Sequence, residues 1–134
     1  MSKRFKNKVC VITGAGQGIG AGVAARMAKE GAKLVLVDRS DIVFELSEKL
    51  EKKGVEVLAL TGDMEKAADC NKVMKQAAKK FGRIDVLVNN VGGTIWTKPF
   101  EHYKENEIEA EVRRSLFPTL WCCHAVLPYM LEQK

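Results

Sequence analysis

Long apolar runs are missing from this sequence. The longest are short pieces such as Leu34-Val35-Leu36-Val37 and Val86-Leu87-Val88, whereas a bilayer-crossing helix needs about 20 apolar residues in succession. No membrane partner is expected. Behind the basic start Met1-Ser2-Lys3-Arg4 the only apolar run is Val9-Cys10-Val11-Ile12, too short for the core of a signal peptide, and a cytoplasmic location is the expectation. Cysteine is sparse: Cys10, Cys70, Cys122 and Cys123 form no CxxC pair, and the two histidines do not cluster. No metal is therefore expected, and the thiols are expected to be reduced and buried, with Cys122 and Cys123 as adjacent core residues on a helix. Aromatic side chains are 7% of the chain and do not interleave with a dense basic run, which argues against nucleic acid as a partner. No repeat, low-complexity tract or Pro/Gly/Ser-rich linker divides the chain.

What is present suits one globular domain: 134 residues, 46% of them hydrophobic, enough apolar material for a single core. Charge is uneven. Residues 1–40 carry eight Lys/Arg against two Asp/Glu, within a net charge of +5, a balance that would suit a small anionic ligand.

Short β-branched runs alternate with helical patterns. Lys8–Thr13 reads as a strand and Gly18–Glu30 as a helix with Ile19, Val23 and Met27 on its inner face, stopped by Gly31. Lys33–Val37 is a second strand. Ser40 can cap a helix whose inward stripe is Ile42, Val43, Leu46 and Leu50, closed by Gly54. Val55–Leu60 is a third strand, Glu65–Phe81 a third helix and Ile84–Val88 a fourth strand. Near-continuously apolar strands joined by helices predict a parallel sheet covered on both faces, a doubly wound α/β fold.

From Glu105 the pattern is helical almost to the end, with Ile108, Val112, Leu116, Leu120 and Ala125 in step and Pro118 inside it. Pro118 should kink this helix by freeing the carbonyl of Arg114. Leu120–Met130 is apolar nearly all round apart from His124, as expected of a helix covered on two sides, by the sheet and by another subunit.

Thr13-Gly14-Ala15-Gly16-Gln17-Gly18-Ile19-Gly20 follows a strand and opens a helix. Gly14 permits the tight turn, Gly18 lets a pyrophosphate approach the backbone, and Gly20 packs helix on strand. The phosphates would then rest on exposed N–H groups at the positive helix end. Asp38 ends the second strand, eighteen residues beyond Gly20. A carboxylate there accepts hydrogen bonds from an adenosine ribose and repels a 2′-phosphate, favouring NAD over NADP. Arg39 cuts the other way, because a guanidinium beside the ribose could hold that phosphate.

Together, Thr13-Gly14-x-x-x-Gly18-Ile19-Gly20 and Asn89-Asn90-Val91-Gly92 resemble the two N-terminal signatures of the short-chain dehydrogenases/reductases, with Asp63 after the third strand in the matching place. The resemblance covers the whole chain and implies a Rossmann fold. It implies that Asp63 and Met64 hold the adenine, that Asn90, Val91 and Gly92 line the cofactor trough, and that Thr13 anchors the glycine loop. Gln17, Ile19 and Arg39 complete the expected NAD-binding set. Val91 stands where the family usually has alanine.

The stretch from Asn89 to Trp96, with Lys98-Pro99-Phe100-Glu101-His102-Tyr103, Arg113-Arg114-Ser115-Leu116-Phe117-Pro118 and Trp121-Cys122-Cys123-His124, is similar to the cis-diol dehydrogenases of benzoate and toluate breakdown. That likeness implies a small-molecule cis-dihydrodiol carboxylate as substrate. Hydride would leave the secondary carbinol carbon for NAD, giving a ketone β to the carboxylate; loss of carbon dioxide and enolisation would yield a catechol. A homodimer or homotetramer is implied for the full-length protein.

Two departures from the family pattern stand out. The catalytic asparagine position falls at Ser115, beside the kink. The tyrosine four residues before a lysine is missing: Tyr103 is followed at that spacing by Glu107 and Tyr129 by Gln133. His102 and His124 read as structural. The expectation is a Rossmann fold truncated after the helix that follows the fourth strand, with residues 1–134 as the N-terminal NAD-binding part of a single dehydrogenase domain. Its fourth strand would be an exposed apolar edge, and Trp121, Val126 and Leu127 would face water. Two alternatives stay open: another short-chain NAD(P)-dependent alcohol or ketone oxidoreductase, and a non-catalytic dinucleotide-binding module.

Overall fold

The computed structural model describes residues 3–134; Met1 and Ser2 of the basic start lie outside the described residues. Four strands, β1 (Val9–Thr13), β2 (Lys33–Asp38), β3 (Val57–Thr61) and β4 (Val86–Val88), form one parallel sheet in the order β3-β2-β1-β4. Helices α1 (Gly18–Lys29), α2 (Ile42–Glu51) and α3 (Ala67–Phe81) connect them, and α4 (Glu105–Ser115) and α5 (Phe117–Gln133) follow β4.

The apolar strands are explained by two cores. Side chains alternate across a strand, so Val9, Val11, Val35 and Val37 join Met74, Ala77, Cys122 and Val126 on the face covered by α3 and α5. Cys10, Ile12, Leu34 and Leu36 join Ala24, Met27, Val43 and Leu50 on the face covered by α1 and α2. Both residues of each alternating pair need to be apolar, which is why β1 and β2 read as continuous runs.

The helical stripes need correction. Ile19, placed on the inner face of α1, is 79% exposed, and the buried positions are Gly20, Ala24 and Met27. In α2 Ile42 is about one-third exposed while Val43, Ser47 and Leu50 are buried. Cys123 is also exposed, unlike the buried Cys10, Cys70 and Cys122; all four thiols are free.

The expected kink falls at Leu116, where the backbone is still right-handed (φ −108°, ψ −49°) and the N–H still reaches the Val112 carbonyl at 2.9 Å. Leu116 separates α4 from α5, and Pro118 takes the first turn of the new helix, where its missing N–H has no intrahelical partner to lose. Pro128 lies within α5. One side of α5 packs on the sheet through Cys122, Ala125 and Val126, with Trp121 partly buried. Val126 and Trp121 thus belong to this chain's own core rather than facing water. Leu120 and Leu127 are about half exposed, as are Val112 and Leu116 on the stripe leading into them. The fourth strand is a sheet edge, as expected, and is partly buried. Among the described residues no helix is long and apolar enough to cross a membrane.

One buried charge ties the N-terminal segment to the fold. Glu30 is 1% exposed and accepts from Arg4 Nη2 at 2.7 Å and Arg26 Nε at 2.6 Å. These bonds from Arg4 and Arg26 hold its carboxyl down to about 2, against an ordinary 4.5. A depressed carboxylate contributes stability fully above its unfolded value, and that contribution is lost as pH falls through the folded value. Glu30 should therefore contribute to acid unfolding between about pH 4.5 and 2. Glu30→Gln should lower stability at neutral pH and flatten that part of the profile; melting curves against pH check this, and an unchanged slope would refute it.

Candidate dinucleotide site

The strand order reverses at β1, whose neighbours β2 and β4 are reached by crossovers in opposite directions. A crevice opens beyond the carboxyl ends of the strands at such a point. Here it is a cavity of about 270 Å³ lined by Gly14, Gln17, Asp38, Arg39, Asp63, Glu65, Asn90, Val91, Gly92 and Arg114.

Its floor is fixed by Thr13, at the end of β1. Thr13 is buried, donates through Oγ1 to the Val88 carbonyl at 3.3 Å, and accepts from the N–H groups of Asn90 at 3.0 Å and Val91 at 3.2 Å. Asn90 Nδ2 donates to the Gly14 carbonyl at 3.1 Å. The turn after β4 is thereby clamped to the turn after β1.

The glycines of that turn do different jobs. Gly14 has φ +62°, and a Cβ there would come within 2.8 Å of Asn90 Nδ2. Gly16 tolerates none either: its Cβ would lie 2.5 Å from Ile42 Cγ2 and 2.8 Å from Asp38 Oδ2. A Cβ on Gly20 would lie 2.2 Å from the Gly14 carbonyl oxygen, so the close approach is between α1 and the turn rather than the strand. Gly18 differs. Its φ is +58°, yet a Cβ would meet nothing within 4 Å. Space is open above it.

Beside that space α1 begins with an extended Gln17, no side-chain cap and no acidic residue in its first turn. Free N–H groups at a positive helix end form an anion site. Ile19, exposed at the same place, leaves this opening clear of the core.

Asp38 closes the loop from the other side. Its Oδ2 accepts from Gly16 N–H at 2.8 Å and its Oδ1 from Ser40 N–H at 3.0 Å. Further along, Asp63 Oδ1 accepts from Glu65 N–H at 3.0 Å, and the Asp63 N–H donates to Asp69 at 2.8 Å. The Met64 side chain turns into the core, with Sδ 3.5 Å from Cys122 Sγ, so only its backbone is left to face the crevice.

Ser115, the last residue of α4, donates from Oγ to the Gly93 carbonyl at 3.1 Å. One turn earlier on α4, Glu111 accepts from the N–H groups of Ile95 at 3.1 Å and Trp96 at 2.9 Å. The Trp96 bond leads the causes that hold its carboxyl below the ordinary range. The loop leaving Gly92 is thus stapled along α4. Tyr103 donates to the Trp96 carbonyl at 2.9 Å, and burial followed by the nearby Glu111 raises its hydroxyl above the usual tyrosine range. Burial, with Asp85 nearby, pushes the Cys10 thiol up to about 11, so it is no nucleophile. No cluster of three or more metal-ligating side chains occurs among the described residues.

Gly16, Glu65 and Arg114 are site residues that sequence reasoning missed. Gly16 stood inside the glycine motif and could have been found there; the other two are brought together only by the fold.

The family described as short chain dehydrogenase matches residues 8–134. A 1,6-dihydroxycyclohexa-2,4-diene-1-carboxylate dehydrogenase of Pseudomonas putida is 66% identical over 134 residues, covering 99% of this chain and 49% of its own length. Its namesake from Acinetobacter baylyi is 50% identical over 133 residues, covering 99% of this chain and 51% of its own. The crystal structure of an NAD+-bound xylitol dehydrogenase superposes with a TM-score of 0.91 at 27% identity, over 97% of this chain and 50% of that one. The chain spans about half the length of the curated relatives it matches.

Proposed function

The chain belongs to the short-chain dehydrogenase family, and we propose that it is the NAD-binding part of a single Rossmann-fold dehydrogenase domain that oxidises a cis-dihydrodiol carboxylate. For the substrate, support comes from the 66% identity to the Pseudomonas putida enzyme. The products would be a catechol and carbon dioxide, in the degradation of an aromatic acid. The protein would be cytoplasmic and would act as a homodimer or homotetramer, a reading supported by the half-exposed Leu120 and Leu127 on α5.

For the cofactor, the observation that carries the reading is the crevice itself. Open space over Gly18, crowding at Gly14, Gly16 and Gly20, and an uncapped α1 fit a pyrophosphate. The buried Arg114 Nε makes no hydrogen bond and has only the Glu65 carboxylate near it, at 3.6 Å, on two residues that line the same crevice. Bound NAD would supply the hydride acceptor. Thr13, Gly14, Gln17, Gly18, Ile19 and Gly20 would hold its phosphates. Asp38 and Arg39 would face the adenosine ribose, Asp63 and the Met64 backbone the adenine, and Asn90, Val91 and Gly92 the nicotinamide half. Ser115 would keep the Gly92-Gly93 turn in place beside the reacting centre.

Asp38→Ala tests the preference. One discriminating polar contact is worth about 1–3 kcal/mol, or roughly ten- to two-hundred-fold, and the preference of the longer protein for NAD over NADP should erode by that order. NAD affinity should fall as well, because Asp38 also holds the Gly16 N–H. Equal efficiency with both cofactors before mutation would overturn the assignment.

A further inference from the structure

Arg39 is the awkward residue in an NAD site, since it stands next to Asp38 where a 2′-phosphate would project. The fold gives it a partner. Glu65 Oε2 lies 3.9 Å from Arg39 Nη1 and 3.6 Å from Arg114 Nε. Arg39 follows β2, Glu65 follows β3 and Arg114 lies at the end of α4, so one carboxylate spans two guanidiniums delivered from opposite sides of the crevice. Glu65 is the least exposed of the three, at 22% against 57% and 36%. All three line the cavity with Asp38 and Asp63.

The charges decide what this mouth accepts. Asp38, Asp63 and Glu65 set three negative charges against the two of Arg39 and Arg114, leaving the lining one charge negative. A phosphate monoester carries about −1.5 to −2 at neutral pH. Without Glu65 the lining would be neutral, with two guanidiniums free for bidentate phosphate contacts.

We propose that Glu65 is a specificity-determining residue that disfavours NADP by offsetting the charge of Arg39 and Arg114 and by repelling the 2′-phosphate. The inference rests on the dinucleotide reading of the same crevice. Exposed ion pairs are individually weak, and these two are loose, at 3.9 and 3.6 Å; the exclusion rests on the negative charge that Glu65 keeps beside both guanidiniums, which a phosphate approaching either one must face.

The test is titration of the longer protein with NAD and with NADP, read by quenching of tryptophan fluorescence. In Glu65→Gln the ratio of the NADP to the NAD dissociation constant should fall by about tenfold or more. The gain should shrink as salt is raised and disappear in the double variant Glu65→Gln, Arg39→Ala. An unmoved ratio with NAD still bound overturns the role of Glu65 and leaves the dinucleotide reading intact. Equal weakening of both cofactors makes Glu65 a structural residue and also overturns it. Failure of the unmutated protein to bind either dinucleotide refutes the reading beneath.

Discussion

Alanine in place of Gly20 should weaken dinucleotide binding by one to two orders of magnitude, while alanine in place of Gly22, two residues along the same helix, should leave it intact. The two substitutions add the same methyl group to α1. At Gly22 that methyl meets nothing within 4 Å, and alanine in a helix interior is better than glycine by roughly 0.5–1 kcal/mol. At Gly20 it would lie 2.2 Å from the Gly14 carbonyl oxygen, 2.8 Å from the Gly14 carbonyl carbon and 2.7 Å from Asn90 Nδ2. Two of those three atoms are backbone, so no rotamer relieves the clash. Either α1 moves off the turn or Gly14 moves, and Gly14 is held by Asn90, whose own backbone hangs on Thr13. Overpacking of this kind costs about 1–3 kcal/mol. The shift also pulls the first-turn N–H groups away from the space over Gly18, so if the whole cost falls on the bound state binding should weaken by about five- to 150-fold, since each 1.4 kcal/mol is tenfold. Calorimetric titration with NAD, beside melting curves, separates the outcomes: a lower melting temperature with weakened binding for Gly20→Ala, and a melting temperature equal or higher with unchanged binding for Gly22→Ala. Normal NAD affinity in Gly20→Ala would show that the turn is not the rigid cradle described.

Much of this was legible because it is local. A strand, a glycine turn and a helix start lie within twelve residues at Val9–Gly20, and the physics that demands glycine there acts between near neighbours. The alternation of strands and helices likewise carried the parallel sheet, since each strand must be apolar on both faces to sit between two helical layers. What was illegible depends on the ends of elements and on long-range placement. Ile19 and Ile42 match the helical period yet are exposed beside the glycine turn, while their neighbours Gly20 and Val43 are buried. The pattern through Leu116 continues across the junction of α4 and α5, because Leu116 stays right-handed and keeps its N–H on the Val112 carbonyl at 2.9 Å, so periodicity does not register the boundary ahead of Pro118. The family resemblance implies that Met64 holds the adenine, and what it does not tell is that the side chain points to the sulfur atoms of Cys70 and Cys122. Glu65 and Arg114 are 49 positions apart, and no spacing rule pairs them; only the return of α4 across the strand ends does.

These 134 residues by themselves should form no measurable NADH from a cis-dihydrodiol carboxylate, even where they bind NAD. Oxidation of a carbinol requires a group that takes the hydroxyl proton as hydride leaves, and positioned proton transfer is worth about 10²–10⁴-fold. The candidates in the chain are otherwise engaged. Tyr103 donates its hydroxyl to the Trp96 carbonyl and sits near Glu111, which with burial raises rather than lowers its pKa; that is the wrong direction for a base. Tyr129 packs against the α3 and α5 core, away from the crevice lining. His102 lies in the short 3-10 turn Phe100–His102 and His124 on α5, and neither lines the crevice. Ser115 Oγ already donates to the Gly93 carbonyl, so it positions the turn and offers no base. No tyrosine in the sequence has a lysine four residues on. The measurement is NADH fluorescence over hours with purified chain, with NAD binding followed in parallel so that a silent assay is distinguished from an unfolded protein. A longer form that adds a tyrosine and a lysine at that spacing should turn over at least about a hundredfold faster. Comparable rates for the two forms would mean that the proton leaves by a route these residues already contain.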